Sequence, residues 1–470
     1  MSLDSTDTPG VPFPDLDRRR EAASGSADTD AGPATRRQTA LLGSSPAAQA
    51  ALRRQIDLVQ ERRRRRGLDH EEPGDAIAFE IVERGRAEPL LVVNELLMLA
   101  ADVDGSSRGF RRGPSDDLLA AHGLTATPVP ELDGRIVRLQ RTPDPLPVDT
   151  LRAVAARLRA LGYPASLTTV TPLGPILKGE GAAEPADGLP FPRETGVRGR
   201  AVTVAVIDSG VTAIPRTDGW LTGLATGTNT DPLDAFPLGA PDGYLDFGAG
   251  HGTFVAGIVQ QIAPSADIRV LRAVDSDGIG SEVTVAVAML QAAADGALIL
   301  NLSLGSETED DQPPPAFRVA LDLLAERHPD VLVVAAAGNS DSTHPCWPAA
   351  FRDVIAVGAL GVDRQRAPFS NHGHWVDCAT VGSGVLSTYV EGTENPQLSP
   401  AVDPSPDTYG PDPWATWTGT SFAAPQIAGA LARLMQDDPA LTPRAALRVL
   451  LGRGVPVPGL GVAMEILPGS

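Results

Sequence analysis

The hydrophobic pattern of the chain changes at about residue 200. From Ala201 onward, short and nearly continuous apolar runs alternate with segments of helical periodicity. Continuous apolar runs are typical of strands buried on both faces, and helices between them connect parallel strands. This part therefore predicts an α/β fold with a doubly wound, mostly parallel sheet. Its predicted strands and helices are Val202 to Ile207, Thr253 to Gln261, Ile268 to Ala273, Glu282 to Ala294, Leu298 to Leu302, Ala316 to Arg327, Val331 to Ala336, Val354 to Val357 and Gln426 to Met435.

The pattern between about Asp75 and Pro175 is weaker and predicts a smaller α+β domain at residues 75–175. Its first half contains a predicted strand from Ala76 to Val82 and a predicted helix from Leu90 to Ala101. Two strand–helix–strand halves would form a small sheet that has helices on one face. The second half has a strand at Ile136 to Leu139, a helix at Val148 to Leu161 and a strand at Ser166 to Val170.

The segments on either side of this smaller domain have little hydrophobic periodicity. Residues from Met1 to about Gly43 are polar and rich in Pro and Ala, so they bury too little surface to be ordered. Ala47 to Arg66 predicts a helix with a basic end, so residues 1–74 form a disordered tail and a basic helix. Gly174 to Arg200 is rich in Gly, Pro, Glu and Ala, which predicts a linker at residues 176–200 before the larger domain at 201–470.

The composition excludes several classes of protein. The chain has 470 residues, 42% apolar and 21% charged, which suits two globular domains. The net charge of −20 arises mainly after residue 200 and makes a nucleic-acid partner unlikely there. The basic run Arg62 to Arg66 could contact nucleic acid or an acidic surface, although a solvated helix face is the simpler interpretation. Without an apolar signal segment or membrane span, we expect a cytoplasmic protein with no membrane partner.

Four segments of the larger domain carry side chains that could act together. Asp208 follows the first strand, at the carboxyl end where open α/β sheets place their sites. His251 begins an apolar helix after a Gly-rich stretch, and Ser421 begins another, where free N–H groups stabilise negative charge. Asn339 follows an Ala-rich strand and could donate to an oxyanion. Taken singly, each has an ordinary structural explanation as a turn or helix-capping residue.

In their order along the chain, these motifs resemble the subtilisin-like serine peptidases. The resemblance extends from about Val202 to about Leu451 and implies a serine endopeptidase. In that family the serine attacks the scissile carbonyl, the histidine transfers its proton, the aspartate orients the imidazole and the asparagine binds the oxyanion. The matching motifs are Asp208-Ser209-Gly210, His251-Gly252-Thr253, Asn339 and Gly419-Thr420-Ser421.

This chain departs from the family pattern at two places. Phe422 stands where the family usually has Met, and an acidic insert from Glu391 to Asp412 lengthens the loop before Ser421. Neither change removes a reacting group. Both could reshape access on the leaving-group side of the site.

The resemblance also implies where a peptide or protein substrate would bind. The primary pocket would have walls of Ala and Gly without charge, so we expect an apolar or uncharged P1 residue. Cys346 matches a position near the base of this pocket. The edge from Gly278 to Gly280 would pair with an extended peptide. The implied pocket residues are Ser303, Leu304, Gly305, Ala336, Ala337 and Gly338.

The reaction that the resemblance implies requires no metal or organic cofactor. Structural calcium is common in the family, but no ligand set is recognisable in this sequence. Three histidines near the implied pocket are interpreted as solvated loop residues, because no ligand spacing completes a metal site. They are His344, His372 and His374. Cys346 and Cys378 are too few for a disulfide framework, and whether they form one bridge stays open.

The smaller domain resembles the N-terminal propeptide that many subtilisin-like enzymes carry. By this resemblance it would act as an intramolecular inhibitor, and the Gly174 to Arg200 linker would approach the cleft. The alternative is an adaptor domain that recruits substrates. For the whole chain, the alternative to an active protease is a catalytically latent binding or regulatory protein on the same fold.

Overall fold

The structure is a computed structural model. It describes residues 31–66, 79–81, 90–103, 114–170, 183–189, 201–224, 229–235, 241–396 and 406–469. The first 30 residues of the predicted disordered tail and most of the predicted linker, all but residues 183–189, lie outside the described residues. The side chains of the basic run Arg62 to Arg66 also lie outside them, although its backbone is helical.

The N-terminal part begins with two helices and continues as a small antiparallel sheet with helices. Strand β2 is central, because it pairs with β1, β4 and β5, while β3 pairs with β4. Leu151, Val154 and Leu158 of helix α5 are buried in the hydrophobic core of this domain. The elements are α1 (Pro33–Ala40), α2 (Pro46–Arg66), β1 (Phe79–Ile81), β2 (Leu90–Leu99), α3 (Ala100–Val103), α4 (Pro114–Ala121), β3 (Thr125–Pro128), β4 (Ile136–Gln140), α5 (Val148–Ala160) and β5 (Ala165–Thr169), with a 3-10 turn at Pro130–Leu132.

The helix predicted from Leu90 to Ala101 is wrong, because Leu90–Leu99 is the central strand of this sheet. Leucine and methionine favour helix locally, but hydrogen bonding to strands on both sides outweighs that preference. Asn94 has a φ of 59°, and the pairing register with β5 shifts between Leu91 and Leu96. This irregularity interrupts the alternation that would have indicated a strand.

Helix α1 lies in a region that the sequence predicted to be disordered up to about Gly43. The helix begins at Pro33, a residue that suits a first helical turn. Its side chains Thr35 and Gln38 are buried. For Gln38, the contacts are with residues more than 300 positions later, which local composition cannot reveal.

The larger domain is built on an eight-stranded sheet in the order β10-β7-β11-β13-β15-β16-β22-β21. Every neighbouring pair in it is parallel except β21 and β22. The elements are β6 (Glu184–Ala186), β7 (Thr203–Asp208), β8 (Val211–Thr212), β9 (Thr230–Asp231), α6 (His251–Ile262), β10 (Asp267–Arg272), α7 (Glu282–Ala294), β11 (Ile299–Leu302), β12 (Ser306–Glu307), α8 (Pro315–Arg327), β13 (Leu332–Ala336), β14 (Cys346–Trp347), β15 (Val354–Leu360), β16 (Cys378–Val381), β17 (Val385–Thr388), β18 (Gly392–Thr393), β19 (Thr408–Tyr409), β20 (Trp414–Trp417), α9 (Thr420–Asp437), α10 (Pro443–Leu451), β21 (Val455–Val457) and β22 (Gly461–Ala463).

The helices cover this sheet in two packed pairs. Helix α6 packs against α9, helix α7 packs against α8, and both pairs contact the sheet. Strands β7, β11, β13 and β15 are therefore almost entirely buried, as their continuous apolar runs predicted. The predicted α/β fold class with a mostly parallel sheet is confirmed. Because β7, β11 and β13 are parallel neighbours, the residues that follow them lie along one edge of the sheet.

Candidate active site

Asp208 and His251 are in direct contact at this edge. Asp208 is the last residue of β7, and His251 is the first residue of helix α6. The Oδ1 atom of Asp208 lies 2.8 Å from Nδ1 of His251 and also accepts the Ser209 N–H at 2.8 Å. Both side chains are almost completely buried. The carboxylate can therefore fix the tautomer and the orientation of the imidazole, which leaves Nε2 as the free ring nitrogen.

Ser421 lies in the first turn of helix α9, next to Thr420 at the start of that helix. Its hydroxyl donates to the Ser303 carbonyl at 3.0 Å, and the Ser303 hydroxyl donates to the Ser421 carbonyl at 2.7 Å. These two hydrogen bonds join the start of α9 to the segment after β11. Since the single hydroxyl proton points to Ser303, Ser421 is not the donor to His251 in this conformation.

Aromatic rings place His251 and the Ser421 segment in the same cleft. The imidazole centroid lies 5.4 Å from the ring of Phe422, the residue next to Ser421. It lies 5.4 Å from the ring of Trp417 as well, in an edge-to-face arrangement. Trp417 and Phe422 are 5.0 Å apart, so the two rings enclose one side of the imidazole. Phe422 therefore helps to exclude water around His251.

Asn339 is oriented by the residue that precedes Ser421. Its Oδ1 atom accepts the backbone N–H and the hydroxyl of Thr420, each at 2.9 Å. With the oxygen engaged in this way, the amide nitrogen lies on the side of Gly419, and a Cβ atom added to that glycine would lie 3.4 Å from it. This arrangement holds an N–H donor beside the start of α9.

Two glycine-containing segments of the implied pocket meet at the Cys346 thiol. A Cβ atom on Gly305 would lie 2.8 Å from Sγ of Cys346, and one on Gly338 would lie 3.2 Å from it. Gly338 also has a φ of +99°, which favours glycine. The other implied wall residues are buried on the same two segments after β11 and β13. They are Ser303, Leu304, Ala336 and Ala337.

A buried carboxyl group lies behind this thiol. Glu307 of strand β12 pairs with Cys346 of strand β14. Burial raises the pKa of the Glu307 carboxyl above its usual range, although nearby His344 partly opposes the shift. Burial also raises the pKa of the Cys346 thiol, with a further contribution from Glu307. Both shifts favour neutral groups at the base of the implied pocket.

The implied substrate edge lies next to the last strand of the N-terminal domain. Gly278 and Gly280 precede Ser281, which forms an antiparallel bridge with Val170 directly after β5. Next to this bridge, Glu282 Oε1 accepts the Thr169 N–H at 2.9 Å and the Thr169 hydroxyl at 3.1 Å. The N-terminal domain is therefore docked at the edge where an extended peptide was predicted to pair.

Glu282 is a buried carboxyl group at the start of helix α7. Its second oxygen, Oε2, accepts the Ala316 N–H near the start of helix α8 at 3.1 Å. Burial raises its pKa from 4.5 to about 7, against the opposing effect of these hydrogen bonds, and the nearby Glu95 adds to the increase. No local pattern predicts this contact, because Glu282 and Thr169 are 113 positions apart.

Ion pairs complete the docking of the N-terminal domain. Its arginines contact carboxylates on helix α8 and on the loop before that helix. Arg135 contacts Glu326 of helix α8 at 2.7 Å. Two further pairs have the same polarity, Arg152 with Glu309 and Arg159 with Asp310. Arg327 with Asp133 forms a pair of the opposite polarity. These pairs are largely exposed, so each contributes little to stability, but together they favour this orientation.

A second N-terminal segment contacts the larger domain close to Asn339. We call residues 33–44 the N-terminal anchor. Gln38 accepts the Thr418 hydroxyl at 2.6 Å and donates to the Thr416 carbonyl at 3.1 Å. The Gly43 N–H donates to the Asn339 carbonyl at 2.8 Å. Leu42 packs into an apolar cluster with Ala359, Ala367 and Phe369.

The described residues before and after positions 171–182 contact different parts of the larger domain. Val170 is paired with Ser281, while β6 (Glu184–Ala186) pairs antiparallel with β20 (Trp414–Trp417), the strand that leads to Gly419 and Ser421. The Tyr409 hydroxyl donates to the Ala183 carbonyl. Both flanks are therefore docked on the larger domain.

Other predicted features have separate outcomes. Cys346 and Cys378 are both free and buried, so they form no bridge with each other. His344 is exposed and paired with Asp311, and His372 lies near Arg366 and Asp341. Within the described ranges, no three His, Cys, Asp or Glu residues are grouped so that they could hold a metal ion. Among the same residues, no helix combines the length and apolar character needed to cross a membrane.

Comparison with known proteins adds independent information. A family model described as the subtilase family matches residues 199–453. Subtilisin BL of Lederbergia lenta is 31% identical over 259 residues, covering 53% of this chain and 82% of that protein. The intracellular serine protease of Paenibacillus polymyxa is 30% identical over 254 residues, covering 51% of this chain and 68% of that protein.

One solved structure shares the fold over most of the chain. Fervidolysin from Fervidobacterium pennivorans, described as a keratinolytic enzyme related to subtilisin, aligns with a TM-score of 0.53 and 17% identity. The alignment covers 85% of this chain and 63% of fervidolysin. This coverage exceeds residues 201–470 alone, so the shared fold includes part of the N-terminal half.

Proposed function

The chain belongs to the subtilase family and is a serine-type endopeptidase, and we propose that Asp208, His251 and Ser421 form its catalytic triad. The observation that carries the proposal is the 2.8 Å contact between Asp208 Oδ1 and His251 Nδ1, with the imidazole centroid 5.4 Å from the ring of Phe422, which follows Ser421. This order of residues and these roles agree with the triad of serine peptidases. Asn339 is proposed as the oxyanion donor.

The proposed reaction begins when the Ser421 hydroxyl exchanges the Ser303 carbonyl for Nε2 of His251. The imidazole takes the hydroxyl proton as Oγ attacks the scissile carbonyl, and Asp208 stabilises the imidazolium. The negative oxygen that forms accepts hydrogen bonds from the Asn339 amide nitrogen and the Ser421 N–H. Collapse of this intermediate breaks the peptide bond, and His251 gives its proton to the leaving amine. Water then hydrolyses the acyl-enzyme through the same groups.

The P1 preference is proposed to be apolar or uncharged. Ala336, Ala337, Gly305 and Gly338 contribute no charged side chain to the pocket. Gly278 and Gly280 are proposed to pair with the substrate backbone once the N-terminal domain has left.

The N-terminal half is proposed to inhibit the enzyme within the same chain. Val170 occupies the edge at Ser281, and the N-terminal anchor contacts the carbonyl of Asn339, the proposed oxyanion donor. A peptide substrate would have to displace both contacts. Two linked contacts also bind more tightly than either alone, since the second forms at a high effective concentration. Cleavage between about Val170 and Arg200 would separate this half from the catalytic domain.

A cytoplasmic location is also proposed, supported by the relative from Paenibacillus polymyxa that is named an intracellular protease. The reaction is proposed to need no cofactor, because the triad and its oxyanion donors supply the required chemistry. Structural calcium stays a prediction without assigned ligands, and a nucleic-acid partner for the basic helix stays disfavoured.

The proposed activity is tested by identifying cleavage sites in a denatured protein mixture. We expect internal cuts that follow apolar or uncharged residues, and we expect none from the matched Ser421→Ala protein. Mass spectrometry of the new termini gives both the activity and the P1 profile. A profile dominated by Arg or Lys at P1 would contradict the proposed pocket while leaving the triad intact. Equal cutting by the Ser421→Ala protein would contradict the triad.

A further inference from the structure

A second buried carboxylate lies behind the Asp208–His251 pair. Asp231 is the last residue of the short strand β9, which pairs in parallel with β8 just after the Asp208 segment. Its side chain is 3% exposed. Nothing in the reaction proposed above uses this group, so its burial requires another explanation.

The Asp231 carboxylate accepts three hydrogen bonds from three different segments. Oδ2 accepts the Ser209 hydroxyl at 3.2 Å and the Gly250 N–H at 2.9 Å. Oδ1 accepts the Leu233 N–H at 3.0 Å, within its own loop. Ser209 directly follows Asp208, and Gly250 directly precedes His251. One carboxylate oxygen therefore joins the two chain segments that carry the acid and the base.

Ser209 extends this connection into helix α6. While its hydroxyl donates to Asp231, its oxygen accepts the Gly252 N–H at 3.2 Å. Gly252 is the second residue of α6, so this bond satisfies one of the free N–H groups of the helix start. The negative charge of Asp231 near that helix start is favourable as well. His251 is thus held from both sides, through Gly250 and through Gly252.

The backbones at this junction are in very close contact. A Cβ atom on Gly252 would lie 2.1 Å from the Gly210 carbonyl oxygen. One on Gly210 would lie 2.8 Å from the Asp231 nitrogen, and Gly210 has a φ of +101°. Three segments therefore pack backbone to backbone, and a change in the Asp231 hydrogen bonds would be transmitted directly to Asp208 and His251.

We propose that Asp231 is a positioning residue, which keeps Asp208 and His251 in register through Ser209 and Gly250. The proposal rests on the triad proposed above and adds a residue that no motif of the family comparison identified. Asp231 contacts neither substrate nor a reacting atom, so its effect is expected on the chemical step more than on substrate binding.

Ionisation of Asp231 provides a signature that a purely structural role would lack. Burial raises its pKa from 3.8 to about 6, and the hydrogen bonds and Arg272 of β10 oppose the shift. The titratable residues next to its hydrogen-bond donors in the chain are Asp208, beside Ser209, and His251, beside Gly250. If Asp231 were protonated, its own O–H donor would be directed at N–H and O–H groups that are themselves donors to the carboxylate. The contribution of Asp231 to kcat should therefore be present above about pH 7 and lost as the pH falls through about 6.

The test compares Asp231→Asn with Asp234→Asn in the full chain. Asp234 is a matched control, because it lies three positions away and accepts the Asp242 and Gly243 N–H groups without contacting either triad segment. Turnover of a chromogenic peptide is measured from pH 5 to 8, with active sites counted by fluorophosphonate titration. At pH 8 we expect Asp231→Asn to lower kcat by about 10- to 100-fold with little change in KM.

Two further measurements, the pH dependence of kcat and thermal unfolding, can contradict the proposal. The ratio of wild-type kcat to that of Asp231→Asn should shrink toward 1 as the pH falls below about 6, while the ratio for Asp234→Asn stays flat. Thermal unfolding shows whether each variant is folded. If Asp231→Asn does not fold, Ser209→Ala takes its place, because it removes the hydroxyl that connects Asp231 to Gly252 and leaves the carboxylate.

The outcomes separate this proposal from the proposed function. A wild-type chain that is not labelled by fluorophosphonate at Ser421, even after the residues before Ala201 are removed by cleavage, overturns the proposed function itself. A wild-type chain that is labelled and turns over, together with an Asp231→Asn variant of equal kcat, overturns only the positioning role. A loss in Asp231→Asn that is constant across the pH range, or that appears in KM alone, overturns it too.

Discussion

The buried side chains of Gln38 and Thr418 are joined by a hydrogen bond of 2.6 Å, although 380 positions separate them in the chain. Thr418 lies three residues before Ser421. This contact fixes the N-terminal anchor against the segment that leads into the candidate nucleophile. The N-terminal half therefore contacts the catalytic domain at two separate places, at Thr418 and at Ser281.

We predict that Gln38→Ala makes the active site of the full-length chain accessible more quickly, because it weakens the docking of the N-terminal anchor. The substitution removes two hydrogen bonds and leaves the buried Thr418 hydroxyl without an acceptor for its proton, although its oxygen still accepts the Gly384 N–H. The loss is about 1–3 kcal/mol, or roughly 5- to 150-fold in the stability of the closed state. The measurement is the rate at which fluorophosphonate labels the full chain. The exposed Gln49 offers a matched control, since Gln49→Ala should label at the wild-type rate. Equal rates for both variants would show that the anchor does not restrain the site.

We predict that docking of the N-terminal domain weakens as the pH rises. Burial holds the pKa of Glu282 at about 7 in the docked form, and exposure of the carboxyl to water on undocking should return the pKa toward 4.5. The docked form therefore binds more protons between these two pH values. Docking is therefore strongest below about pH 4.5. As the pH rises from there through about 7, the contribution of Glu282 to the free energy of docking is lost, by at most about 1.4 kcal/mol per pH unit.

The measurement for Glu282 uses the Ser421→Ala chain, which cannot cut itself. Its thermal unfolding temperature from pH 4.5 to 8 should fall more steeply than that of the same chain with Glu282→Gln. Glu326→Gln is the control, because it removes an exposed carboxylate of the same interface and should retain the steep profile. Parallel profiles for the Glu282→Gln and reference chains would disprove the role of Glu282.

We predict that Asn339→Ala lowers kcat by about 10²–10³ and changes KM little, which is the effect that loss of one such donor has in subtilisin. The reason is that its amide nitrogen would contact the oxygen only after negative charge has formed. Because Asn339 also accepts from Thr420, thermal unfolding must show that the variant keeps its fold. An unchanged kcat in a folded variant would exclude Asn339 as an oxyanion donor.

We predict that Gly252→Ala prevents correct packing of the catalytic segments. The added methyl group would lie 2.1 Å from the Gly210 carbonyl oxygen, a contact that only backbone movement can relieve. We expect destabilisation of at least about 1–3 kcal/mol, read from thermal unfolding. Gly410→Ala is the matched control, since a methyl group there has nothing within 4 Å. Equal unfolding temperatures would contradict the close approach.

The sequence predicted the parts of the fold that local pattern determines. Buried strands such as β7 and β13 have continuous apolar runs, and helix α6 starts where the Gly-rich stretch before His251 ends. The four catalytic candidates are recognisable because short motifs surround each of them. The α/β class and the order of β7, α6, β10, α7, β11, α8, β13, β15 and α9 followed from these signals, whereas the later strands β16 to β22 and helix α10 were not predicted.

The contacts that the sequence missed join distant residues of ordinary appearance. Leu90–Leu99 looked helical because the strands that pair with it are not visible locally. Gln38 and Glu282 lie in segments whose composition suits many environments, and only the folded chain places them against Thr418 and Thr169. Asp231 likewise lies in a region without a recognisable motif, and its hydrogen bonds form only because three chain segments pack together in the folded protein.

The proposed triad is tested most directly by covalent labelling of the purified chain with a fluorophosphonate, followed by peptide mapping. We expect one phosphonate adduct, on the peptide that contains Ser421, and we expect Ser421→Ala to abolish it and His251→Ala to slow its formation strongly. Failure of the wild-type chain to react, even after the residues before Ala201 are removed by cleavage, would disprove the proposed triad. So would an adduct on any residue other than Ser421.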